Sequence, residues 1–138
     1  MRRASLTAAF TAYVGFVLLI VLAPSSEVPS TVVLDVTDVA RRLRVPEVFL
    51  LGTRVEFTLN AAMVVPVALL GSLVWPALTW RDWLAVGFIG AATVELLQGL
   101  VLPERSATFE DIVANTLGAG VGAIAVAAVR RLSARAPA

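Results

Sequence analysis

Long apolar stretches dominate the chain and predict four membrane-spanning helices. A helix that crosses about 30 Å of hydrocarbon needs roughly 20 mostly apolar residues. Stretches close to that length occupy residues 6–23, 55–74, 83–102 and 112–129. Pro24, Pro76 and Pro103 follow the first three of them. The sequence therefore predicts an all-α fold, an integral membrane four-helix bundle, in which residues 1–138 form a single transmembrane domain.

The first stretch has an alternative interpretation as a signal peptide. Arg2 and Arg3 precede its apolar residues, and Ala23 follows them. However, the apolar run is longer than a usual signal-peptide core, and no clean A-x-A cleavage site follows it. We therefore expect a retained membrane helix.

Small residues repeat along the fourth stretch at every fourth position. Ala114, Gly118 and Gly122 have this spacing, which places them on one face and lets two helix backbones approach closely in lipid. The fourth span is therefore expected to pack centrally.

Residues 24–54, between the first and second spans, are too polar to cross the membrane again. Thr37 or Asp38 is expected to cap a short amphipathic helix there. Its apolar side would comprise Val36, Val39 and Leu43. Such a segment could lie on the membrane surface or act as a lid over a site, and the sequence leaves both alternatives open.

The ends of the spans carry tryptophans and arginines typical of membrane interfaces. The tryptophans surround the turn after the second span and predict an aromatic belt: Trp75, Trp80 and Trp83. The arginines predicted at one end are Arg2, Arg3, Arg81, Arg130, Arg131 and Arg135; those at the other are Arg41, Arg42, Arg44, Arg54 and Arg105. Acids are interleaved with the second group, so we expect a multi-pass protein of the cell membrane with both termini in the cytoplasm.

Composition supports lipid as the solvent and narrows the chemistry. The chain is 59% hydrophobic and 15% charged, with a mean hydropathy of +0.88. Its net charge of +1 provides no basic field for nucleic acid. Without cysteine or histidine, disulfides, thiol nucleophiles, imidazole bases and ordinary zinc ligation are excluded. Carboxylates, amides, hydroxyls and arginine remain.

Polar residues inside the last three spans form the candidate site. Each span offers one carboxylate and one carboxamide at helical spacing: Glu56 with Asn60, Glu95 with Gln98, and Asp111 with Asn115. Because the spans alternate in direction, all three pairs are expected at the same depth, with Arg54 and Arg105 at the same end. Ionisable residues within a span are costly and mark functional sites. The pattern predicts a polar pocket in the outer third of the bundle, open to the extracytoplasmic side.

The residues of this pocket divide by chemistry. Candidate catalytic groups are Glu95, Asp111 and Glu56; candidate binding groups are Arg54, Asn60, Gln98, Arg105 and Asn115. Glu95 is the best candidate for proton transfer, since it lies roughly 10 Å below the helix end, where low dielectric disfavours the charged form. Alternatively, the acids pair with the arginines, the amides join helices, and Asp111 caps its helix. Whether oxygen ligands in this pocket hold a divalent cation stays open, and the sequence does not identify a metal or a cofactor.

In this order and spacing the polar residues resemble the motifs of the VanZ-like family, small bacterial membrane proteins named for a member associated with teicoplanin resistance. The motifs are Glu56-x-x-x-Asn60 with Pro66, Glu95-Leu-Leu-Gln98, Arg105-Ser-x-x-x-x-Asp111 and Asn115-Thr-Leu-Gly118. The resemblance implies a four-helix membrane protein of the cell envelope. Where the family usually has an aromatic residue and an acid, this chain has Ala107 and Thr108.

Three functions follow as hypotheses. The first is binding or modification of a membrane lipid or lipid-linked envelope precursor at the outer leaflet, with an influence on glycopeptide susceptibility. The second is a non-enzymatic structural or accessory membrane subunit. The third, a small proton-coupled carrier, ranks last because the acids cluster toward one face and the chain has no internal repeat. The oligomeric state is not predicted.

Overall fold

The structure, a computed structural model, describes residues 2–23, 27–101 and 108–135. These residues form five α-helices and one short 3-10 helix, and they contain no strand. The α-helices are α1 (Arg2–Val21), α2 (Glu27–Arg42), α3 (Gly52–Val74), α4 (Trp80–Val101) and α5 (Phe109–Arg135), and the 3-10 helix Glu47–Phe49 precedes α3. The predicted all-α class is confirmed.

Four of the helices, α1, α3, α4 and α5, are long and apolar enough to cross a membrane. They correspond to the four predicted stretches, but α3, α4 and α5 begin at Gly52, Trp80 and Phe109, before the predicted starts at 55, 83 and 112. Helix α5 also continues to Arg135. Hydropathy marks only the part of a helix that suits hydrocarbon, whereas backbone hydrogen bonding continues into the polar interface. The apolar pattern therefore underestimates helix length.

Helix α5 occupies the centre of the bundle. It packs extensively against both α3 and α4, whereas the backbones of α3 and α4, although the helices are consecutive, come close at only a few positions. Ala114, Gly118 and Gly122 are buried on α5. A Cβ atom at Gly118 would overlap the carbonyl oxygen of Ala61 on α3. The expectation of central packing is confirmed, and it depends on the absence of a side chain at Gly118 and Gly122 and on the small side chain of Ala114.

Trp83 belongs to the buried core of the bundle. It is only 4% exposed, and its indole lies against Gly71 of α3, where a Cβ would overlap the ring. Trp75 is exposed and Trp80 half-buried. The burial of Trp83 was not predicted, because the apolar pattern does not reveal the space that the glycine opens for the ring; the level of the three tryptophans in the bilayer stays a prediction.

Helix α1 packs against α3 through aromatic side chains. The Phe10 ring meets Trp75 edge to face, with 5.0 Å between ring centroids. One turn further along α1, the Tyr13 hydroxyl donates a hydrogen bond of 3.1 Å to the carbonyl oxygen of Met63. These contacts fix α1 on the side of α3.

Helix α2 begins at Glu27, well before the predicted cap at Thr37 or Asp38. Both residues lie inside the helix, and the Thr37 hydroxyl donates to the Val33 carbonyl one turn earlier. The cap prediction is wrong because the helix already begins at Glu27, with Pro29 in its first turn, where proline is tolerated. The helix packs against α3.

Candidate functional site

Two predicted site residues meet where α3 packs against the start of α5. The Asn60 Nδ2 donates a hydrogen bond to Asp111 Oδ1. Both side chains are half-buried. A hydrogen bond to a carboxylate in such a setting is stronger than one between neutral groups. This pair therefore links α3 to α5 at the polar end of the bundle, which we define as the end that contains Asn60, Glu95 and Asp111.

Glu95 joins α4 to the same end of α5. Its Oε2 accepts a hydrogen bond of 2.8 Å from the backbone N–H of Thr108, and the residue is only 7% exposed. The unpaired N–H groups and the dipole at a helix N-terminus favour a carboxylate. The start of α5 thus provides a partner for an acid that would otherwise be costly to bury.

Thr108 is a member of the site that sequence reasoning missed. Its hydroxyl accepts a hydrogen bond of 3.2 Å from the backbone N–H of Asp111 and so caps α5. The alternative role of Asp111 as the cap is therefore not what the structure shows. A sequence signal existed, since Thr108-x-x-Asp111 before an apolar run has the spacing of a capping box.

The first turn of α5 gathers side chains from three helices. Thr108 contacts Glu95 of α4 and Asp111 contacts Asn60 of α3. Asn115 lies one turn further along α5, and its buried Oδ1 has no hydrogen-bond partner among the described residues. The predicted meeting of α3, α4 and α5 at one level is therefore present for these residues.

Gln98 has a partner outside this cluster. Its Nε2 donates a hydrogen bond of 2.6 Å to the Val21 carbonyl, and the residue is buried. Val21 is the last residue of α1, where carbonyl groups lack partners within the helix. Gln98 therefore attaches the end of α1 to α4, and its role in binding stays a prediction.

Replacing Gln98 with leucine is expected to weaken this attachment. The loss of one buried hydrogen bond should cost about 1 kcal/mol of stability and speed hydrogen exchange in the last turn of α1. The matched control is Thr93→Val, which removes a hydroxyl that donates to the Ile89 carbonyl within α4. Equal exchange at the end of α1 in both variants would contradict the assignment.

Glu56 and Arg54 stand apart from the cluster. Glu56 is exposed and forms no ion pair with any other described residue; Val55 takes the buried position of that turn. The Arg54 guanidinium is exposed and donates 2.6 Å to the Val48 carbonyl. Arg105, the other predicted arginine, lies outside the described residues. The structure thus does not bring Glu56 or Arg54 to Glu95 and Asp111.

A cleft of about 380 Å³ lies between α4 and the start of α5. Its polar lining consists of Glu95 and Thr108, and its apolar lining is formed by Ala92, Leu96, Gly99, Leu100, Phe109 and Ile112. Three of these apolar residues, Leu96, Leu100 and Phe109, have large exposed side chains. The cleft therefore combines a buried carboxylate with walls suited to hydrocarbon. Among the described residues no cluster of three acids is arranged to hold a metal ion.

Four apolar spans around a polar end define a multi-pass membrane protein. The chain belongs to the VanZ/LLP1 family, whose model matches residues 10–130. The match includes every residue of the candidate site, and the resemblance to the VanZ-like family is confirmed. Comparison with curated proteins and with solved structures gave no match.

Proposed function

We propose that this membrane protein of VanZ type binds a lipid or lipid-linked cell-wall precursor at the outer leaflet, with its head group at Glu95. The single observation that carries the proposal is the buried Glu95 at a cleft with otherwise largely apolar walls. An amphiphilic ligand likewise combines a polar head group with an apolar hydrocarbon part. Its hydrocarbon would contact Leu96, Leu100 and Phe109, and hydroxyl or ammonium groups of its head would donate to the carboxylate.

The hydrogen bond from Thr108 orients Glu95 for this role. A carboxylate has about four acceptor positions, and one of those on Glu95 accepts from the backbone N–H of Thr108, which fixes the group at the cleft. Asp111, held by Asn60 in the first turn of α5, supplies a second acid nearby. If the head group is modified, Glu95 is the proton-transferring residue, since general acid–base catalysis needs a positioned carboxyl group.

The proposal includes an orientation with both termini in the cytoplasm. At the polar end Arg41 is paired with Asp38 at 3.1 Å and Glu47 at 3.2 Å. At the opposite end Arg130 and Arg131 make no ion pair with any described residue. An excess of arginine favours the cytoplasmic side.

Reporter fusions test this orientation. At Ala77 and after Arg135, a reporter that works only in the cytoplasm should be active. At Pro46, a reporter that works only outside the cytoplasm should be active. The reverse pattern would move the cleft to the cytoplasmic leaflet and remove outer-leaflet ligands from the proposal.

Glu95→Gln is expected to abolish the function while leaving the fold intact. Glutamine retains an oxygen that accepts the Thr108 N–H, but it loses the charge and the exchangeable proton. Cells that carry this variant at wild-type abundance should show the teicoplanin susceptibility and the precursor profile of cells without the protein. Susceptibility assays and mass spectrometry of extracted lipids measure both.

The matched control for that experiment is Glu110→Gln. Glu110 is an exposed acid in the first turn of α5, and it does not line the cleft. It should behave like the wild type. The proposal fails if Glu95→Gln, present at normal levels, leaves susceptibility and precursors unchanged.

A second candidate, a structural or accessory subunit, is favoured by the polar contacts between helices. Asn60 bonds to Asp111, and Gln98 bonds to the end of α1. In that case substitutions at the polar end would lower the amount of folded protein instead of removing activity at constant abundance. Quantifying the protein in the membrane separates the two functions.

A further inference from the structure

A second cavity of about 430 Å³ lies at the end of the bundle opposite Glu95. It is bounded by the last turn of α3, the turn into α4, the first turn of α4 and the last part of α5. Its polar lining includes Ser72, Thr79, Arg81, Arg130 and Arg131. We call it the arginine cavity. Neither the family match nor the proposed function assigns a role to it.

The arginine cavity has a strong excess of positive charge. No carboxylate is among its described lining residues. The neighbouring acid, Asp82, is held by Thr79, since its Oδ2 accepts 2.7 Å hydrogen bonds from the Thr79 backbone N–H and hydroxyl. In the described part of the chain, ion pairs involve only Arg41, so Arg81, Arg130 and Arg131 have no acidic partner there.

The guanidinium groups are partly positioned for a ligand. Arg130 Nη2 donates 2.7 Å to the Ser72 carbonyl, which uses one of five N–H donors. The Arg81 guanidinium carbon lies 5.3 Å from the centre of the Trp80 ring, within reach of a cation–π interaction. These contacts restrict both side chains but leave most donors for an anion.

A buried hydroxyl also lacks a partner in this region. Ser72 is only 4% exposed, and its Oγ makes no hydrogen bond within the described part of the chain. A buried polar group without a partner is unfavourable. That hydroxyl has almost no accessible surface, so an oxygen-rich ligand in the cavity would supply acceptors chiefly for the arginines.

The other residues that line the arginine cavity are apolar, and the cavity has the residue types of the membrane–water interface. Small side chains on α5, at Ala123 and Ala127, create the space, and Leu78 and Trp80 border it. Tryptophan and arginine together are typical of the head-group level of a bilayer. A soluble anion would use only the arginines, whereas a phospholipid would use both the arginines and the apolar walls.

From these observations we propose that the arginine cavity binds the phosphate of an anionic glycerophospholipid from the adjacent leaflet. Arginine matches phosphate with two parallel hydrogen bonds. With the orientation proposed above, this leaflet is the cytoplasmic one. The inference is independent of any ligand at Glu95.

The test measures retention of phosphatidylglycerol by the purified full chain, using native mass spectrometry and thermal unfolding. Phosphatidylglycerol should be retained and should raise the melting temperature, whereas phosphatidylcholine should do neither. Each arginine near an anionic head group contributes about a fivefold change in affinity. The Arg81→Gln/Arg131→Gln double variant should therefore lose roughly 25-fold in retention. It leaves the Arg130 bond to Ser72 in place.

The matched control is Arg135→Gln, because Arg135 lies one turn further along α5 and does not line the cavity. A steric variant, Ala127→Leu, should reduce lipid retention although every arginine remains. Equal retention by the double variant and the control would overturn the proposal. Equal stabilisation by phosphatidylcholine would also overturn it, and so would stabilisation by inorganic phosphate alone that matched the lipid, since the ligand would then be a free anion.

Discussion

Leucine at Gly118 is expected to abolish the folded protein, and alanine there to cost about 1–3 kcal/mol. At this position the backbone of α5 touches the backbone of α3, and even a Cβ atom would overlap the Ala61 carbonyl oxygen. A backbone carbonyl cannot rotate away as a flexible side chain can. The two helices would have to separate, which would remove the close packing of α5 on α3.

The control for this prediction is Gly90→Leu on α4. A Cβ atom at Gly90 meets nothing within 4 Å, and leucine favours a helix more than glycine does by several tenths of a kcal/mol. Gly90→Leu should therefore accumulate and unfold like the wild type. Size-exclusion profiles and thermal unfolding in detergent compare the variants. A monodisperse Gly118→Leu protein with a wild-type melting temperature would contradict the packing described for α5.

The central position of α5 could be predicted because small residues at every fourth position have few other uses in lipid. In water apolar side chains drive association, but in a bilayer lipid tails are equally apolar, so close backbone approach becomes the main source of helix contact. Ala114 and Gly118 therefore indicate a helix neighbour directly. They do not identify that neighbour. Only the structure shows that α5 packs mainly against α3 and α4 and not against α1.

The burial of the Trp83 ring and the start of α2 could not be predicted because both depend on tertiary context. The Trp83 ring is buried only because Gly71, on a different helix, leaves room for it. Pro29 looks like a helix breaker until the helix is known to begin at Glu27. Each signal is ambiguous within its own segment, and the deciding contact or boundary lies outside it.

The sequence could indicate the end of the bundle at which the polar residues lie, but not the neighbouring helix that each side chain faces. Residues four apart on an α-helix are rotated by about 40° relative to each other. Glu56 and Asn60 therefore share a stripe without facing the same neighbour, and only Asn60 reaches α5. Thr108 was missed because it contributes a backbone N–H, a group that every residue except proline has. Its cap spacing marks the helix start, but not the acid on α4 that binds there.

Breaking the Asn60–Asp111 hydrogen bond from one side is expected to destabilise the bundle by about 1–3 kcal/mol. In Asn60→Leu the half-buried Asp111 carboxylate loses the amide donor on α3, and a charge without its partner in low dielectric is costly. Asp111→Asn should be close to neutral, since its amide oxygen still accepts from Asn60. Unfolding in mixed micelles, followed by tryptophan fluorescence, measures these changes, because Trp83 is buried in the folded protein.

The double variant Asn60→Leu/Asp111→Leu separates the hydrogen bond from the packing around it. When both polar partners are replaced by apolar groups, the loss of stability should be smaller than the sum of the two single losses, with a coupling of about 0.5–3 kcal/mol. Polar contacts between membrane helices average about 0.6 kcal/mol, and a bond to a carboxylate should exceed that value. Strictly additive losses would mean that Asn60 and Asp111 do not hold α3 to α5, and the first turn of α5 would then need another explanation for its place in the site.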